Sequence, residues 1–243
     1  RPSSVRHDRY RDRRGRAMTL CNLVLSDLRV VACSDTLLCT TDGEPVGLGS
    51  NLSVLPHMTA VAVCRGPRPL RREAEEHLSG GDVLGGVDEA APSLSTVLRA
   101  EAARLAAWFG EEAARADYWL AGWSGAESRF VGWRFLGDHE FKPERVPVGL
   151  HLNPPVAGSV PLPTTATVQQ LVRLAEAQKR MLERQTEAGG SGGPGIGGDL
   201  IMGELTRVGM AIRKVHRFDN HTEVVAKLKK ERHQRQAEIA GSV

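Results

Sequence analysis

Apolar positions come in short strand-length blocks over the first third of the chain. Leu20 to Leu25 and Leu28 to Ser34 are two such blocks, separated by Ser26-Asp27, which is the pattern of a hairpin. Leu52 to Leu55 and Thr59 to Cys64 make a second pair, interrupted at Pro56-His57 and ended by Gly66-Pro67. Thr40 to Ser50 reads as a turn-rich loop between them. The first third is therefore expected to hold four short strands.

The period then changes. Pro69 to Leu78 and Ser93 to Ala116 carry apolar residues at helical intervals, with Leu94, Leu98, Ala102, Leu105 and Phe109 along the second, and Ser93 or Ser95 is its expected cap. Strand patterning returns at Tyr118 to Trp123 and Arg129 to Leu136, joined across residues 124–128. Residues 137–165 hold Pro143, Pro147, Pro154, Pro155, Pro161 and Pro163, so this stretch is expected to be a long connection that cannot form a central strand. A helix should follow from Thr167 to about Arg184, with Leu171, Ala175 and Met181 on its apolar stripe. Gly189 to Gly198 reads as a flexible linker, since no Gly-Lys-Ser/Thr follows to make it a phosphate loop. Two last strands, Leu200 to Thr206 and Met210 to Phe218, turn at Val208-Gly209. Two sets of antiparallel strands separated by helices predict an α+β fold, a four-layer α-β-β-α sandwich with helices on the outer faces of two antiparallel sheets.

Charge divides the chain in a way the net value of +3 conceals. Residues 1–17 hold seven Arg against Asp8 and Asp12, and residues 213–243 hold eight Lys or Arg against four acids, leaving the middle at about −6. The expected organisation is a basic leader or extension at 1–17, one domain at 18–218, and a basic helical or frayed tail at 219–243. Basic ends on an acidic body do not read as a nucleic-acid-binding domain, whose basic residues would cluster on a folded face. No apolar run approaches the ~18 residues of a membrane span. The leader lacks the apolar segment of a secretory signal, and Met18 is a credible start. Cys21, Cys33 and Cys64 sit in apolar runs as small buried hydrophobes, and the cysteine usage points to a cytoplasmic protein. The histidines are scattered, no Cys-x-x-Cys occurs, and neither a metal nor a cofactor is called for.

The string MTLCNLVLSDLRVVACSD, Met18 to Asp35, places a Thr sixteen residues before an acid that closes the second strand. With LSVL at 52–55, AVAVCRG at 60–66, the hairpin from Tyr118 and the closing hairpin at 197–206, the chain resembles the N-terminal nucleophile (Ntn) hydrolase superfamily. Within it, the likeness is to proteasome subunits and the bacterial proteasome-like heat-shock peptidase. The resemblance implies that Thr19, exposed by removal of Met18, is the nucleophile and its own amine the base, as an α-amino group of pKa about 8 permits. Asp35 would orient a lysine beside that amine, and a backbone N–H near Gly66 would hold the oxyanion. Cys21 would be the alternative nucleophile of the Cys-type branch. The chain departs from the family in one place. Asn51, Leu52 and Ser53 stand where the lysine belongs, and no Lys precedes Lys142. Arg29 and Arg65 are the nearby basic residues, and Arg stays charged at any working pH. The expectation is a weak threonine amidase or peptidase acting on a peptide or amide substrate, or a catalytically degenerate relative. The alternative is a non-enzymatic assembly subunit whose basic tails dock onto partners. Either would form a homo-oligomer or larger assembly.

Overall fold

The structure is a computed structural model that describes residues 19–40, 44–80, 86–111, 116–156, 166–188 and 195–240. The leader at 1–17 lies outside the described residues. Strands β1 (Cys21–Leu25) and β2 (Arg29–Asp35) form the first hairpin, with Leu25 opposite Val30 and Cys21 opposite Ser34. Ser26 closes the turn through its N–H to the Arg29 carbonyl at 2.9 Å, and Leu28 belongs to this turn, 75% exposed, rather than to the strand. The segment expected to be loop, Thr40 to Ser50, holds one strand of a small ribbon, β4 (Pro45–Leu48), which pairs with β3 (Leu37–Cys39) just before it, both too short to leave a period in the sequence. β5 (Leu52–Leu55) and β6 (Ala60–Arg65) make the second hairpin, turned by a single 3-10 turn at Pro56–Met58.

Helices α1 (Arg68–Ser79) and α2 (Val87–Phe109) follow. The second starts before the expected serines. Gly86 precedes it without a side-chain cap, Pro92 falls inside it, and Ser93 instead bonds the Ala90 carbonyl and His77. β7 (Asp117–Ser124) and β8 (Arg129–Leu136) pair as expected. The proline-rich connection needs correction, because it carries β9 (Pro143–Val146) and β10 (Gly149–Asn153). Both are edge strands, and Pro143 is the first residue of β9, positions where a proline without an N–H is tolerated. Helix α3 (Val168–Glu187) opens with a capping box, Thr167 accepting from Gln170 N–H while Gln170 accepts from Thr167 N–H. β11 (Asp199–Thr206), β12 (Gly209–Arg217) and α4 (His221–Ala240) complete the chain.

Two five-stranded antiparallel sheets result, ordered β10-β1-β2-β11-β12 and β5-β6-β7-β8-β9. The fold is α+β and the sheets face each other as a sandwich, because central strands such as β1 and β2 are unbroken apolar runs with two buried faces. Leu23, Leu25, Ala32, Val63, Ala121 and Phe130 fill the space between the sheets. Leu70, Leu78, Leu94 and Leu98 of α1 and α2 pack on Ala60, Ala62 and Leu120 of the second sheet. Leu171, Ala175 and Leu182 of α3 pack on Val24, Val31 and Met202 of the first. Among the described residues, no helix is long and apolar enough to cross a membrane.

Gly122 fixes how closely α2 approaches β7. A Cβ built there meets the Ala60 Cβ, the Thr59 carbonyl and the Val87 Cγ1, each at 2.7 Å. Gly122→Ala is expected to destabilise the fold by about 1–3 kcal/mol through overpacking, measured as a lower denaturant midpoint; an unchanged midpoint would contradict this packing.

Candidate functional site

The sixteen-residue spacing between Thr19 and Asp35 has a simple structural meaning. Cys21 lies opposite Ser34, so one step further out the Leu20 backbone meets Asp35, whose Oδ1 accepts the Leu20 N–H at 2.9 Å. Thr19 is partly buried just before β1. The second carboxylate oxygen accepts the Gly197 N–H at 3.0 Å. The glycine stretch is thus more than a linker: residues 189–194 lie outside the described residues, but Gly195 to Gly198 are buried and dock on Asp35. The Asp199 N–H donates to Thr36 Oγ1 at 2.8 Å, fixing the start of β11 beside the same corner. Burial pushes the Asp35 carboxyl up to about 8, against the pull of the N–H groups that favour its charged form. Among the described residues no Lys, Arg or His pairs with it.

Nothing cationic stands in the lysine's expected position. Asn51 is buried and among the described residues its Nδ2 has no partner, and Ser53 turns toward α1, where it joins Arg71 and Glu75. Arg29 leaves the site to meet Glu204 at 3.4 Å. Arg65 comes nearer. Its Nη1 donates to Asp117 Oδ2 at 3.1 Å and to Asn153 Oδ1 at 2.7 Å, beside the first residue of β1. Gly66 follows it with φ +152°, a conformation that glycine adopts readily, in the turn from β6 to α1. Cys21 faces the space between the sheets, and its burial raises the thiol well above its ordinary range, which disfavours a nucleophilic thiolate. Burial likewise pushes the Cys33 and Cys64 thiols up to about 12. Among the described residues no two cysteines form a disulfide.

A polar network that the sequence did not announce runs through this corner. Asn22 Nδ2 donates to Gln178 Oε1 at 2.7 Å, and Gln178 Nε2 returns a bond to Asn22 Oδ1 at 3.0 Å and another to the Pro154 carbonyl at 2.6 Å. Asn22 Oδ1 also accepts the Asn153 N–H at 3.3 Å, and the Asn153 side chain continues to Asp117 Oδ2 at 2.8 Å. Amides therefore link α3, both sheets and Arg65. The signal in the sequence was a polar Asn inside an apolar strand and a Gln on an apolar helix stripe, but their partners are 156 residues apart. A cavity of about 240 Å³ lined by Leu25, Phe130, Val131 and Val146 lies at the other end of β1, away from Thr19. Among the described residues, no three His, Cys, Asp or Glu side chains converge as metal ligands would.

No family model matches the chain, and no curated protein matches it. Solved structures do match. Anbu (ancestral beta-subunit) from Yersinia bercovieri is 12% identical with a TM-score of 0.59, over 93% of this chain and 97% of that one. An Anbu (Gly-1) mutant from Hyphomicrobium sp. strain MC1 is 11% identical with a TM-score of 0.60, over 91% and 99%. A further Anbu structure from that strain is 11% identical with a TM-score of 0.57, over 90% and 97%. The chain shares the fold of these Anbu structures. The assignment to proteasome subunits or the heat-shock peptidase is corrected by these matches: the neighbours are Anbu proteins, and at such identities they establish the fold alone.

Proposed function

We propose that this chain is a proteasome-like Ntn-fold subunit that has lost threonine-nucleophile hydrolysis and works as a building unit of a homo-oligomer or larger assembly. The observation that carries this is Asp35, whose two oxygens are taken by the Leu20 and Gly197 N–H groups at 2.9 and 3.0 Å. A carboxyl used in this way has no lysine to orient among the described residues, and an amine at Thr19 would find no lysine held there to favour its neutral form. We read the layers as a four-layer α-β-β-α sandwich of residues 18–218, with 1–17 and 219–243 as basic extensions that dock onto partners. Cys21, Cys33 and Cys64, buried as small apolar side chains rather than joined as disulfides, support a cytoplasmic setting.

A second reading, a weak amidase acting on a peptide or amide bond through Thr19 with the oxyanion near Gly66, is favoured by the close approach of the Leu20 backbone to Asp35. One experiment separates the two. The chain begun at Met18 is checked by intact mass for removal of Met18, then exposed to a threonine-directed electrophile and weighed again, with its assembly state read by native mass. The expected result is an oligomer with no adduct. An adduct that disappears in Thr19→Ala would establish the amidase instead, and a persistent monomer would end the assembly proposal.

A further inference from the structure

We propose that Arg65 forms a carboxylate-binding site at the mouth of the space between the two sheets. Its guanidinium is held from one side only. Nη1 makes both protein contacts, to Asp117 Oδ2 and Asn153 Oδ1, while among the described residues Nε–H and Nη2 have no acceptor. The Nε–Nη2 edge is the planar fork that takes a carboxylate through two parallel hydrogen bonds. The side chain is 21% exposed, enough for a ligand atom to reach that edge and enough burial to reduce competition from water.

The supports are fixed before any ligand arrives. Asn153 is 9% exposed and is tied through its backbone to Asn22 and onward to Gln178, which are 1% and 0% exposed. Arg65 therefore does not need to be ordered on binding, which favours affinity. An independent feature agrees. Helix α1 begins at Arg68, its preceding Pro67 provides no side-chain cap, and its first turn holds no acid, so the positive end of the helix is left open three residues from Arg65. The neighbouring Cys21 thiol is buried and held neutral, so it does not repel an anion. Asp117 balances the charge of Arg65 without covering its fork. The class of ligand is a free carboxylate, either on a small organic acid or at the C-terminus of a peptide, and the proposal holds whether or not Thr19 reacts.

The test uses the full chain with 15N-labelled arginine and three probes: a short N-acetylated peptide with a free C-terminus, the same peptide as its C-terminal amide, and acetate. The free-acid peptide is expected to bind saturably by calorimetry and to shift the Arg65 Nε–H resonance. The amide should bind at least about tenfold more weakly, as the loss of charge-assisted hydrogen bonds implies. Arg65→Gln should remove binding, with thermal unfolding confirming that the variant is folded. Acetate that displaces the peptide at similar affinity would assign the site to small carboxylates, and a peptide advantage would assign it to chain ends; either supports the site. No Arg65 Nε–H shift in the wild-type protein at millimolar probe, or equal binding of acid and amide, would overturn it without reliance on any variant.

Discussion

Gln178→Leu is expected to lower the melting temperature by roughly 5–15 °C, about 2–5 kcal/mol, although Leu is the better helix former and suits the apolar stripe of α3. Gln178 is fully buried, and its amide serves Asn22 twice and the Pro154 carbonyl once. Removing it leaves the Asn22 Nδ2 and the Pro154 carbonyl without partners in the interior, and each such group costs about 1–3 kcal/mol. The partner substitution supplies the control. Asn22→Leu alone should be similarly damaging, but Asn22→Leu with Gln178→Leu should be less damaging than the sum, with a coupling of about 0.5–3 kcal/mol. Thermal and denaturant unfolding of the four proteins completes the cycle. Strict additivity would mean that the two amides do not act as a unit. If the cycle couples as expected, Gln178→Leu should also loosen Arg65, since Asn153 lies between them.

The parts of the fold legible in the sequence were those with local causes. Ser26-Asp27, Pro56-His57 and Val208-Gly209 marked turns because each breaks an alternating apolar pattern, and the hairpins around them form with the expected partners. β9 and β10 were hidden by prolines that exclude central strands but permit edges, and which edge receives a strand is decided by tertiary packing. The early start of α2 was hidden for a related reason. Gly86 and Pro92 read locally as breakers, yet Val87, Ala90 and Ala91 are completely buried against the sheet, and that burial outweighs the weak local signal.

The candidate site was legible to the same degree. Thr19 and Asp35 are joined by hairpin geometry, so their spacing could be read. The spacing carried no information about what the Asp35 carboxylate would hold. That depended on Gly197, 162 residues away, within a stretch whose composition reads as a linker. Arg65 stood out only as a substitute for a missing lysine; its held and open edges depend on Asp117 and Asn153, which lie on different sheets. Long-range polar pairing leaves no period in a sequence, and this is why the spacing of Thr19 and Asp35 could be read while its surroundings could not.

The Asp35 carboxyl is expected to make the protein less stable as pH rises, the reverse of a salt-bridged acid. Its folded value, up to about 8, lies above the ordinary 3.8, so the folded state binds the proton more tightly. The group's contribution is fully present below about 3.8 and is lost as pH climbs through about 8, at no more than about 1.4 kcal/mol per pH unit within that window. Asp35→Asn separates this effect from hydrogen bonding. The Asn carbonyl can accept only one of the two N–H groups, from Leu20 or Gly197, and its own NH2 faces the other, so the variant should carry a pH-independent penalty. The titration should vanish with it. Wild type should therefore be the more stable protein at pH 5, and the difference should shrink steadily toward pH 8, measured by denaturant unfolding of both across that range. A gap that widens with pH would show that the backbone N–H groups hold Asp35 ionised and that its value lies low. That result would also restore a permanent negative charge beside Thr19, the condition under which a nearby cation could be recruited and the non-hydrolytic reading would lose its main support.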